Sequence, residues 1–504
     1  MKFDSIVIVG GGSAGWMTAT TLIKAFPEKD ITLVESASLK GSVVGESTTQ
    51  LMKRWQYYVG ITDDDMIRHC DATHKLSVGF ENFHQIGESF QYPFGRIDER
   101  RYNVPQWFIY QSISGAPFTD FVDDFSPISY CLKHNRVPTY PVANGWTLDK
   151  DSAWHFDVNK FNSFLCSRAK KLGVKHIVTD VQGSVKDCHG YITHLNTKDG
   201  EIHGDLFFDC TGFRRVLCSD VSWVGFNNKT YTDRAWAAVR PYKDKRKELK
   251  LFTNSVALDY GWVWEAPSQK RIGTGYNYCS EYITDDEALA EFKEYLGPVA
   301  DEMTFRHLKM RNGMSERMWD KNVISIGLSG AFIEPLESNG IMSIHEFLLQ
   351  FVNVTHNKTK LNNFDAHTFN HNCREQFLYF ADFITLHYAM TARDDTPFWR
   401  DVQQQEFTDS KLLKEVYDAI GCPYYKFDSK VNWEQLGATL FMLAGHKINP
   451  YNQFKQINGE FWGDTINDMT KNLNSITDAI KHEQLMNLYD FPESVDYYDR
   501  ILEP

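Results

Sequence analysis

The first 35 residues alternate apolar runs with small polar turns, in the order strand, helix, strand. The run SIVIV is apolar at nearly every position and predicts a buried strand over residues 5–9. Apolar residues at helical spacing follow a glycine-rich turn, and Met17, Leu22 and Phe26 therefore predict a helix. The next run, DITLVES, predicts a second strand that ends at Glu35.

The turn between the first strand and the helix carries glycines at the spacing G-x-G-x-x-G. The first permits the tight turn, the second lets the backbone approach a pyrophosphate, and the third lets helix and strand pack closely. The helix start would stabilise the phosphates, and an acid at the end of the second strand would accept hydrogen bonds from a ribose diol. This pattern predicts a dinucleotide site without deciding between FAD and NAD. The predicted contacts are Gly10, Gly12, Ser13, Ala14, Gly15 and Glu35.

Two later segments also combine a buried strand with glycine. The run DLFFDCTG predicts a strand ending in Gly212, with Asp209 near the cofactor. The run NVISIGLSG predicts a strand and a glycine loop, and a helix follows from about 338 to 351. Returning strands of this kind commonly complete a flavoprotein. The predicted fold class is α/β, a two-dinucleotide-binding-type (Rossmann-like) flavoprotein fold with an inserted substrate region and a mostly helical C-terminal region.

The stretch GWVWEAP places two indoles two residues apart, followed by a proline. Alternate positions of an extended segment face one side, so Trp262 and Trp264 should project together while Val263 and Glu265 point away. A strand that buries its wide face in a core would explain the pair, because aromatic residues are enriched in strands. The pattern alone therefore leaves its function open.

Composition narrows the class of partner. At 504 residues the chain is long enough for two joined domains. The aromatic share of 14% is high and favours sites for flat ligands. A net charge of −13 argues against nucleic acid and anionic membrane surfaces, because both require clustered lysine and arginine.

The nine cysteines are scattered singly, with no C-x-x-C pair. This spacing indicates a reduced intracellular protein and neither a disulfide framework nor a cysteine zinc site, and no metal is expected. The sequence runs from Met1 directly into the first strand and contains no apolar run of 18 residues. We therefore expect a cytoplasmic protein with no membrane partner.

Several separated segments together resemble the flavin-dependent halogenase family of the tryptophan-halogenase type. They stand in the family's order between about residue 5 and about residue 450. They are GGGSAGW, VVGESTTQ, HKLSVGFENF, WHFDVNKFNSFL, DLFFDCTGFRRVL, GWVWEAP and IGLSGAFIEPLESNGI. The resemblance implies an oxidoreductase that couples FADH2, O2 and a halide ion such as chloride or bromide to electrophilic halogenation of an electron-rich aromatic compound.

In this family hypohalous acid passes through a tunnel to a lysine beside the substrate, and Lys75 matches that lysine. It would act either as a hydrogen-bond donor to hypohalous acid or as an amine that forms a haloamine. Glu337 matches a glutamate that polarises the hypohalous acid and takes up the proton. Glu46 matches a carboxylate that supports the lysine, although a helix cap or surface acid is an equal alternative.

The loop before the late helix matches the family's halide and flavin contacts. Ser338, Asn339 and Gly340 would hold halide, largely through backbone N–H groups. Asn339 is a departure, since threonine or serine is usual there, and altered halide selectivity is expected. The predicted flavin contacts in this part of the chain are Gly327, Leu328 and Ile341.

The substrate side departs further from the family. Phe94 matches a stacking aromatic residue, but Tyr92 stands where tryptophan-specific enzymes have histidine. The predicted substrate contacts are Tyr92, Phe94, Tyr424, Tyr425 and Trp433. No convincing set of groups for an amino acid's carboxylate and ammonium is evident. We therefore expect an indole, pyrrole or phenol larger or less polar than free tryptophan.

The two indoles resemble the family's W-x-W-x-I-P signature, with Ala266 in place of isoleucine. In the family this motif keeps organic substrate away from the oxygen-reactive flavin. Trp262, Trp264 and Pro267 are accordingly predicted to gate the tunnel rather than to catalyse.

The resemblance also predicts the domain organisation and partners. Residues 1–355 would form the FAD-binding module, with substrate-binding segments inserted at about 76–145 and 221–300. Residues 356–504 would form a mostly helical region that covers the substrate. Its tail beyond Asn449 would be a cover or a contact with another copy in a homo-oligomer. No second nicotinamide-binding segment is evident, so a separate NAD(P)H-dependent flavin reductase is expected. A flavin monooxygenase that hydroxylates an aromatic substrate is the nearer alternative, and a catalytically silent flavoprotein the farther one.

Overall fold

The chain divides into two compact units, each built from three separate segments. Unit 1 comprises Met1–Ala72, Trp154–Val239 and Met303–Ala381, and unit 2 comprises Thr73–Ala153, Arg240–Glu302 and Asp382–Pro504. The fold is taken from a computed structural model. It describes residues 1–38, 46–98, 107–108, 111, 121–226, 231–403, 412, 433–449 and 480–503.

Strands and helices are numbered along the described part of the chain. The strands are β1 Ser5–Val9, β2 Asp30–Glu35, β3 Glu46–Ser47, β4 Thr73–Lys75, β5 Ser77–Glu81, β6 Ser89–Pro93, β7 Ala153–Phe156, β8 Lys175–Val178, β9 Val181–Lys186, β10 Ile192–Thr197, β11 Gly200–His203, β12 Leu206–Asp209, β13 Trp223–Gly225, β14 Arg234–Arg240, β15 Phe252–Ala257, β16 Gly261–Pro267, β17 Ile272–Tyr278, β18 Arg306–Lys309, β19 Gly313–Ser315, β20 Trp319–Asp320, β21 Val323–Ser325 and β22 Ala331–Phe332. The helices are α1 Ser13–Ala25, α2 Met52–Tyr58, α3 Asp63–Cys70, α4 Phe121–Phe125, α5 Ser129–His134, α6 Leu148–Asp151, α7 Val158–Lys171, α8 Lys245–Glu248, α9 Asp285–Leu296, α10 Asn339–Thr355, α11 Asn363–Ala389, α12 Pro397–Val402, α13 Trp433–Gly445 and α14 Ser494–Leu502.

A largely parallel sheet organises unit 1, in the strand order β20-β21-β12-β1-β2-β8. Its central strands are almost continuously apolar, as expected for a parallel sheet that is covered on both faces. The register pairs Val9 with Val34 on one side and with Asp209 on the other. The carboxyl ends of these strands therefore meet at one edge, where ligands of open α/β sheets bind.

The core of unit 1 packs beneath this sheet and links it to the small antiparallel sheet β9-β10-β11. Buried apolar side chains from both sheets form one cluster. Its fully buried members include Val7, Val34, Leu195 and Phe207. Two further antiparallel groups in the unit are β13-β19-β22 and the pair β14 and β18.

A different sheet organises unit 2. Five of its strands are neighbours in the order β17-β16-β15-β5-β6, and all of these pairs are antiparallel except β15 with β5. A second core lies in this unit, where Leu76 and Leu251 pack with Trp146 and Phe491. Side chains on one face of this sheet therefore come from strands far apart in sequence.

The strands and helices predicted for the three glycine-containing segments are present, and two of their predicted ends are wrong. Strands β1 and β2 have the predicted bounds, and the late helix begins at Asn339 but continues four residues beyond the predicted end, to Thr355. The strand predicted to end in Gly212 stops earlier, at Asp209, because a short 3-10 turn covers Gly212–Arg214. None of the described helices is both long and apolar enough to cross a lipid bilayer.

Candidate active site

Glycine-rich backbone forms the candidate nucleotide edge of unit 1. Gly10 follows β1 with a φ of 116°, and a Cβ there would lie 2.4 Å from the carbonyl oxygen of Cys210. A Cβ on Gly15 would lie 1.8 Å from the carbonyl oxygen of Gly10, so only glycine allows α1 to approach the strand this closely. A Cβ on Gly12 would meet no described atom within 4 Å. Gly10 and Gly15 are therefore required because a side chain would clash, whereas Gly12 lies beside open space.

The first N–H groups of α1 lie next to the open space beside Gly12. Gly12 caps the helix without a side-chain hydrogen bond, and the first turn, which includes Ser13 and Ala14, contains no acidic residue. The first N–H groups of a helix lack intrahelical acceptors, so they suit phosphate oxygens. Glu35 at the end of β2 pairs with His176, whose Nε2 lies 2.7 Å from a carboxylate oxygen. The edge therefore fits a dinucleotide such as FAD.

The loop after β21 approaches the same helix start. Gly327 has a φ of 66°, and a Cβ there would lie 2.9 Å from the Cβ of Ala14. Leu328 beside it is exposed, which is unusual for a large apolar side chain and suits contact with a ligand. Ile341, by contrast, is buried in α10.

Asp209 is completely buried at the same edge, and protein groups occupy its carboxylate. It accepts hydrogen bonds from the backbone N–H groups of Thr211, Leu217 and Cys218 and from the hydroxyls of Thr211 and Ser329. These bonds tie the loop after β12 to the loop after β21. We infer that Asp209 shapes the predicted cofactor edge by positioning backbone.

The predicted halide loop lies at the start of α10. Ser338 adopts a left-handed conformation with a φ of 55°, and its hydroxyl lies 3.0 Å from that of Ser47. Asn339 is fully buried, and its amide donates to the carbonyl of Glu334 at 2.8 Å. Its Oδ1 has no hydrogen-bond partner among the described residues. Gly340, the next residue, brings another N–H group to the helix start.

Helix α10 is anchored below this loop by a buried carboxylate. Glu346 accepts hydrogen bonds from Arg54 at 2.6 Å and Gln376 at 3.0 Å, and it contacts the imidazole of His345 at 3.2 Å. Burial alone would raise the pKa of Glu346, but His345 and these donors outweigh burial and hold the pKa at about 2. The helix that begins with the halide loop is thus fixed by an ionised residue.

Two further predicted acids belong to unit 1. Glu337 ends the short 3-10 turn Pro335–Glu337 and is 4% exposed. Glu46 begins β3, which pairs with β7 by matching Glu46 with Phe156. The side chain of Glu46 lies outside the described part of the structure, so its role stays a prediction.

Lys75, the predicted halogen carrier, is almost completely buried in unit 2, with 1% of its surface exposed. Its Nζ lies 5.4 Å from the ring centroid of Phe94, within cation–π range. The backbone explains this proximity, because the N–H of Phe94 donates to the carbonyl of Leu76 at 2.9 Å. The ring of Phe94 therefore lies beside a lysine side chain that has almost no contact with water.

An aromatic cluster extends from Phe94. Tyr92 lies 5.5 Å from Phe94, 6.3 Å from Phe383 and 6.4 Å from Phe441, measured between ring centroids. Phe121 adds a contact to Phe441 at 5.1 Å. The sequence indicated Tyr92 and Phe94 but missed Phe121, Phe383 and Phe441, which lie on three separate helices without a local motif. We refer to these five residues as the aromatic cluster.

The tryptophan pair occupies the predicted extended strand, and its alternation is confirmed. Strand β16 spans Gly261–Pro267, and the two indole centroids lie 6.2 Å apart. Trp262 is 1% exposed and its Nε1 has no hydrogen-bond partner among the described residues. On the opposite face, Glu265 pairs with Arg240 at 2.9 Å. The carbonyl of Pro267 accepts a hydrogen bond from Thr73, two residues before Lys75.

Strand β16, which we call the gate strand, belongs to the same sheet as β6, the strand that carries Tyr92. Trp264 is matched with Ser255, Ser255 with Phe80, and Phe80 with Phe90. Matched residues on neighbouring strands share a sheet face, so the indole of Trp264 and the ring of Tyr92, two residues after Phe90, face the same side. The sequence did not reveal this shared face, because it depends on which strands pair.

The structure therefore groups the predicted residues by unit. In unit 1 it brings together the glycines, Glu35 and Asp209 at one edge, whereas in unit 2 it brings together Lys75 and Phe94 near the end of the gate strand. Tyr424 and Tyr425 lie outside the described residues. Trp433 begins α13, but its side chain is not described.

Comparison with known proteins identifies the family to which the chain belongs. The tryptophan halogenase family model matches residues 5–452. The chain is 33% identical over 458 residues to tryptophan 6-halogenase SttH of Streptomyces toxytricini, covering 81% of this chain and 82% of that protein. It is also 33% identical over 438 residues to tryptophan 7-halogenase RebH of Lentzea aerocolonigenes, covering 82% of this chain and 81% of that protein.

Solved structures agree with the sequence comparison. The crystal structure of SttH superposes with a TM-score of 0.85 at 30% identity, covering 99% of this chain and 100% of that chain. The apo structure of VirX1 gives a TM-score of 0.88 at 29% identity, covering 99% of each chain. With the nucleotide-type edge in unit 1 and the buried lysine in unit 2, these matches show that the chain belongs to the tryptophan halogenase family and is a flavin-dependent halogenase.

Proposed function

We propose that the enzyme halogenates an electron-rich indole, pyrrole or phenol that is larger or less polar than free tryptophan. The observation that carries this proposal is the buried Lys75 facing Phe94 within the aromatic cluster. Such surroundings suit a flat, weakly polar ring next to a single cationic or amine group. The tryptophan 6- and 7-halogenases named above act on an amino acid, but Tyr92 differs from the histidine expected for tryptophan-specific enzymes.

The nucleotide edge of unit 1 would hold FAD as FADH2. Gly10, Gly12 and Gly15 permit the close approach, the start of α1 meets the phosphates, and Glu35 meets the ribose. Bound FADH2 supplies two electrons to O2, and halide with one proton becomes hypohalous acid with release of water. Because we assign no nicotinamide site, a separate NAD(P)H-dependent flavin reductase would supply FADH2.

The halide loop would hold the halide ion through the N–H groups of Asn339 and Gly340, whereas the N–H of Ser338, the third predicted halide contact, donates to the carbonyl of Pro335 at 2.8 Å. These groups lie at the positive end of the α10 dipole, and Glu346 fixes the helix deeper in the unit. The Asn339 side chain is tied to Glu334 and so fixes the first turn. This arrangement would provide an anion site made of backbone dipoles rather than of a mobile cation.

Lys75 would present the halogen to the substrate. As an ammonium it donates a hydrogen bond to hypohalous acid and makes the halogen more electrophilic; as an amine it forms a haloamine with loss of water. In either route the aromatic carbon gains halogen and loses a proton. We assign the uptake of that proton to the carboxylate of Glu337, with Glu46 supporting the lysine.

Trp262, Trp264 and Pro267 would separate the organic substrate from the flavin side of the tunnel. Strand β16 presents two indoles on one sheet face, and the backbone at Pro267 is tied to Thr73. Large rigid side chains exclude a ring-sized molecule while a triatomic acid can pass. With the organic compound excluded, halide would be the only substrate oxidised beside the flavin.

A bromination panel tests the substrate class. The enzyme would receive FADH2 from a separate reductase, with O2 and bromide, and would be offered free tryptophan, indoles lacking the amino acid group, pyrroles and phenols. Mass spectrometry should detect the bromine isotope doublet most strongly in products from the less polar compounds. Bromination confined to free tryptophan would contradict the proposed substrate class.

The same panel also separates halogenation from hydroxylation. A product that gains oxygen without bromine would indicate that the aromatic compound itself reached the flavin side. Because the gate would exclude the organic ring, such products should remain minor in the unmodified enzyme. Omitting bromide should abolish product formation while FADH2 is still oxidised.

A further inference from the structure

We propose that unit 1 carries a zinc-binding site on the outer sheet β9-β10-β11, formed by His194, Glu201 and His203. The two histidines are matched residues on β10 and β11, and Glu201 precedes His203 by two positions on the same strand face. One ligand atom from each of the three side chains lies within 4.8 Å of the others. Nothing in the proposed halogenation uses these residues.

The three metal-binding side chains lie close together. The two imidazole centroids lie 5.0 Å apart. The carboxylate of Glu201 approaches both rings, with one oxygen 3.1 Å from Nε2 of His203 and the other 3.7 Å from Nε2 of His194. An ion bound here would tie the two strands of the hairpin together beyond their connecting turn.

The hydrogen bonds of Thr193 prepare His194 for a metal. The Thr193 hydroxyl donates its single hydrogen to the carbonyl of Val185 at 3.2 Å. With that hydrogen bond made, the contact with Nδ1 of His194 at 3.0 Å is satisfied by an N–H donated by the imidazole. Nε2 of His194 then faces the carboxylate of Glu201 at 3.7 Å, so two metal-binding atoms point toward each other. This is the arrangement that a cation between them would stabilise, with Thr193 orienting the ligand.

A strand irregularity explains why Thr193 and His194 cooperate. The register of β10 with β9 shifts between Ile192 and His194, so the intervening Thr193 is an unmatched residue. Such bulges re-aim side chains locally. Here the bulge lets the hydroxyl of Thr193 reach both Val185 and its own neighbour.

The ligand set favours Zn²⁺ over Mg²⁺ or Ca²⁺. Two imidazoles and one carboxylate are a zinc set that leaves a fourth position for water, whereas magnesium and calcium prefer oxygen ligands. The side chains of Glu201 and His203 are 57% and 68% exposed, so ions can enter directly from solvent. Bound Zn²⁺ would stabilise the folded chain by mass action.

Isothermal titration of untagged full-length enzyme with ZnCl2 tests the proposal. The unmodified enzyme should show a saturable site with one ion per chain. His194→Ala and His203→Ala should each weaken this binding by at least about tenfold, since each removes a direct ligand. His189→Ala is the matched control, because His189 is an exposed histidine on the neighbouring turn and should leave binding unchanged.

Thermal unfolding provides the second measurement. Zn²⁺ should raise the Tm of the unmodified enzyme and of His189→Ala but not that of His203→Ala, while all three should unfold at similar temperatures in chelator. Absence of a saturable site in the unmodified enzyme would overturn the proposal. So would binding in His194→Ala and His203→Ala as tight as in the unmodified enzyme, or loss of binding in His189→Ala, which would locate the ion at the turn that also carries Cys188.

Discussion

In unit 1 the candidate site residues lie where parallel strands end, whereas in unit 2 they lie on and beside the face of a sheet. The edge of unit 1 is made of glycine backbone, helix N–H groups and a buried carboxylate, Asp209, that holds loops in place. The site of unit 2 is made of side chains, with Lys75 beside Phe94 and two indoles along β16. One site is therefore sensitive to added bulk, and the other to loss of a functional group.

This difference suggests a division of chemistry between the two sites. Backbone dipoles bind anions and phosphates without being consumed, which suits the production of hypohalous acid. Side chains such as Lys75 can carry or activate a halogen, which suits its transfer to a ring. Variants of the first site should lose both reactions, while variants of the second should lose only halogen transfer.

The largest effect is expected at the glycines of unit 1. Gly15→Ala places a methyl group 1.8 Å from the Gly10 carbonyl oxygen, so the strand-turn-helix must open, at a cost of roughly 3 kcal/mol or more. Gly12→Ala meets no described atom and should fold normally, yet it should weaken FAD binding by about tenfold, because the methyl enters the phosphate position. Urea unfolding and flavin fluorescence titration separate the two outcomes. Equal behaviour of the two variants would contradict the steric assignment.

A smaller but specific effect is expected at the gate of unit 2. Trp264→Ala should raise the FADH2 consumed per halogenated product several-fold and produce oxygenated substrate, because the organic ring can then reach the flavin side. Trp236→Ala is the matched control, since it removes another partly buried indole from a strand, β14, outside the gate. Product mass spectra with a reductant balance make the measurement. If Trp264→Ala lowers stability alone and leaves this ratio unchanged, the pair is only a packing element.

Stability at low pH should reveal the anchor of α10. Glu346 has a pKa of about 2 in the fold against 4.5 ordinarily, so its ionised form favours the folded state. This stabilisation is present above about pH 4.5 and is lost as pH falls toward 2. Glu346→Gln should therefore cost about 3 kcal/mol at pH 7 and much less near pH 2. Urea unfolding across this range checks the slope, with the exposed Glu302→Gln as the control; a pH-independent cost would contradict the ionised anchor.

The smallest effect is expected at Asn339. Asn339→Thr removes the amide that donates to Glu334 and restores a residue usual in the family, so the ratio of chlorinated to brominated product should change a few-fold. A competition assay with equal chloride, bromide and iodide measures this ratio. Equal turnover of the three halides by the unmodified enzyme would remove the argument for altered selectivity.

The two units also differ in how much of each candidate site could be predicted from the sequence. The nucleotide edge was predictable because strand, glycines and Glu35 are close in sequence and each step has a local steric reason. The aromatic cluster was not, because Phe121, Phe383 and Phe441 come from separate helices whose packing no local pattern encodes.

The zinc candidate illustrates the same limit. The cysteine spacing predicted no metal site, because the chain has no C-x-x-C pair. His194 and His203 become neighbours only through the hairpin register of β10 with β11. The family resemblance located Lys75 and Glu337 without geometry, and the structure adds that Lys75 is buried beside an aromatic ring.

Diversion of the halogen to a scavenger tests most directly whether Lys75 transfers it after hypohalous acid has formed. The enzyme would receive FADH2, O2, bromide and an accepted aromatic substrate with an excess β-diketone that traps free hypobromous acid. Lys75→Met would be compared with Lys53→Met, which removes another buried lysine that lies 3.9 Å from the ring centroid of Trp154 and pairs with Asp63 at 2.7 Å. If Lys75 transfers the halogen, Lys75→Met should brominate the scavenger and not the substrate, while Lys53→Met should brominate the substrate. Substrate bromination by Lys75→Met, or loss of hypobromous acid in that variant, would contradict this role of Lys75.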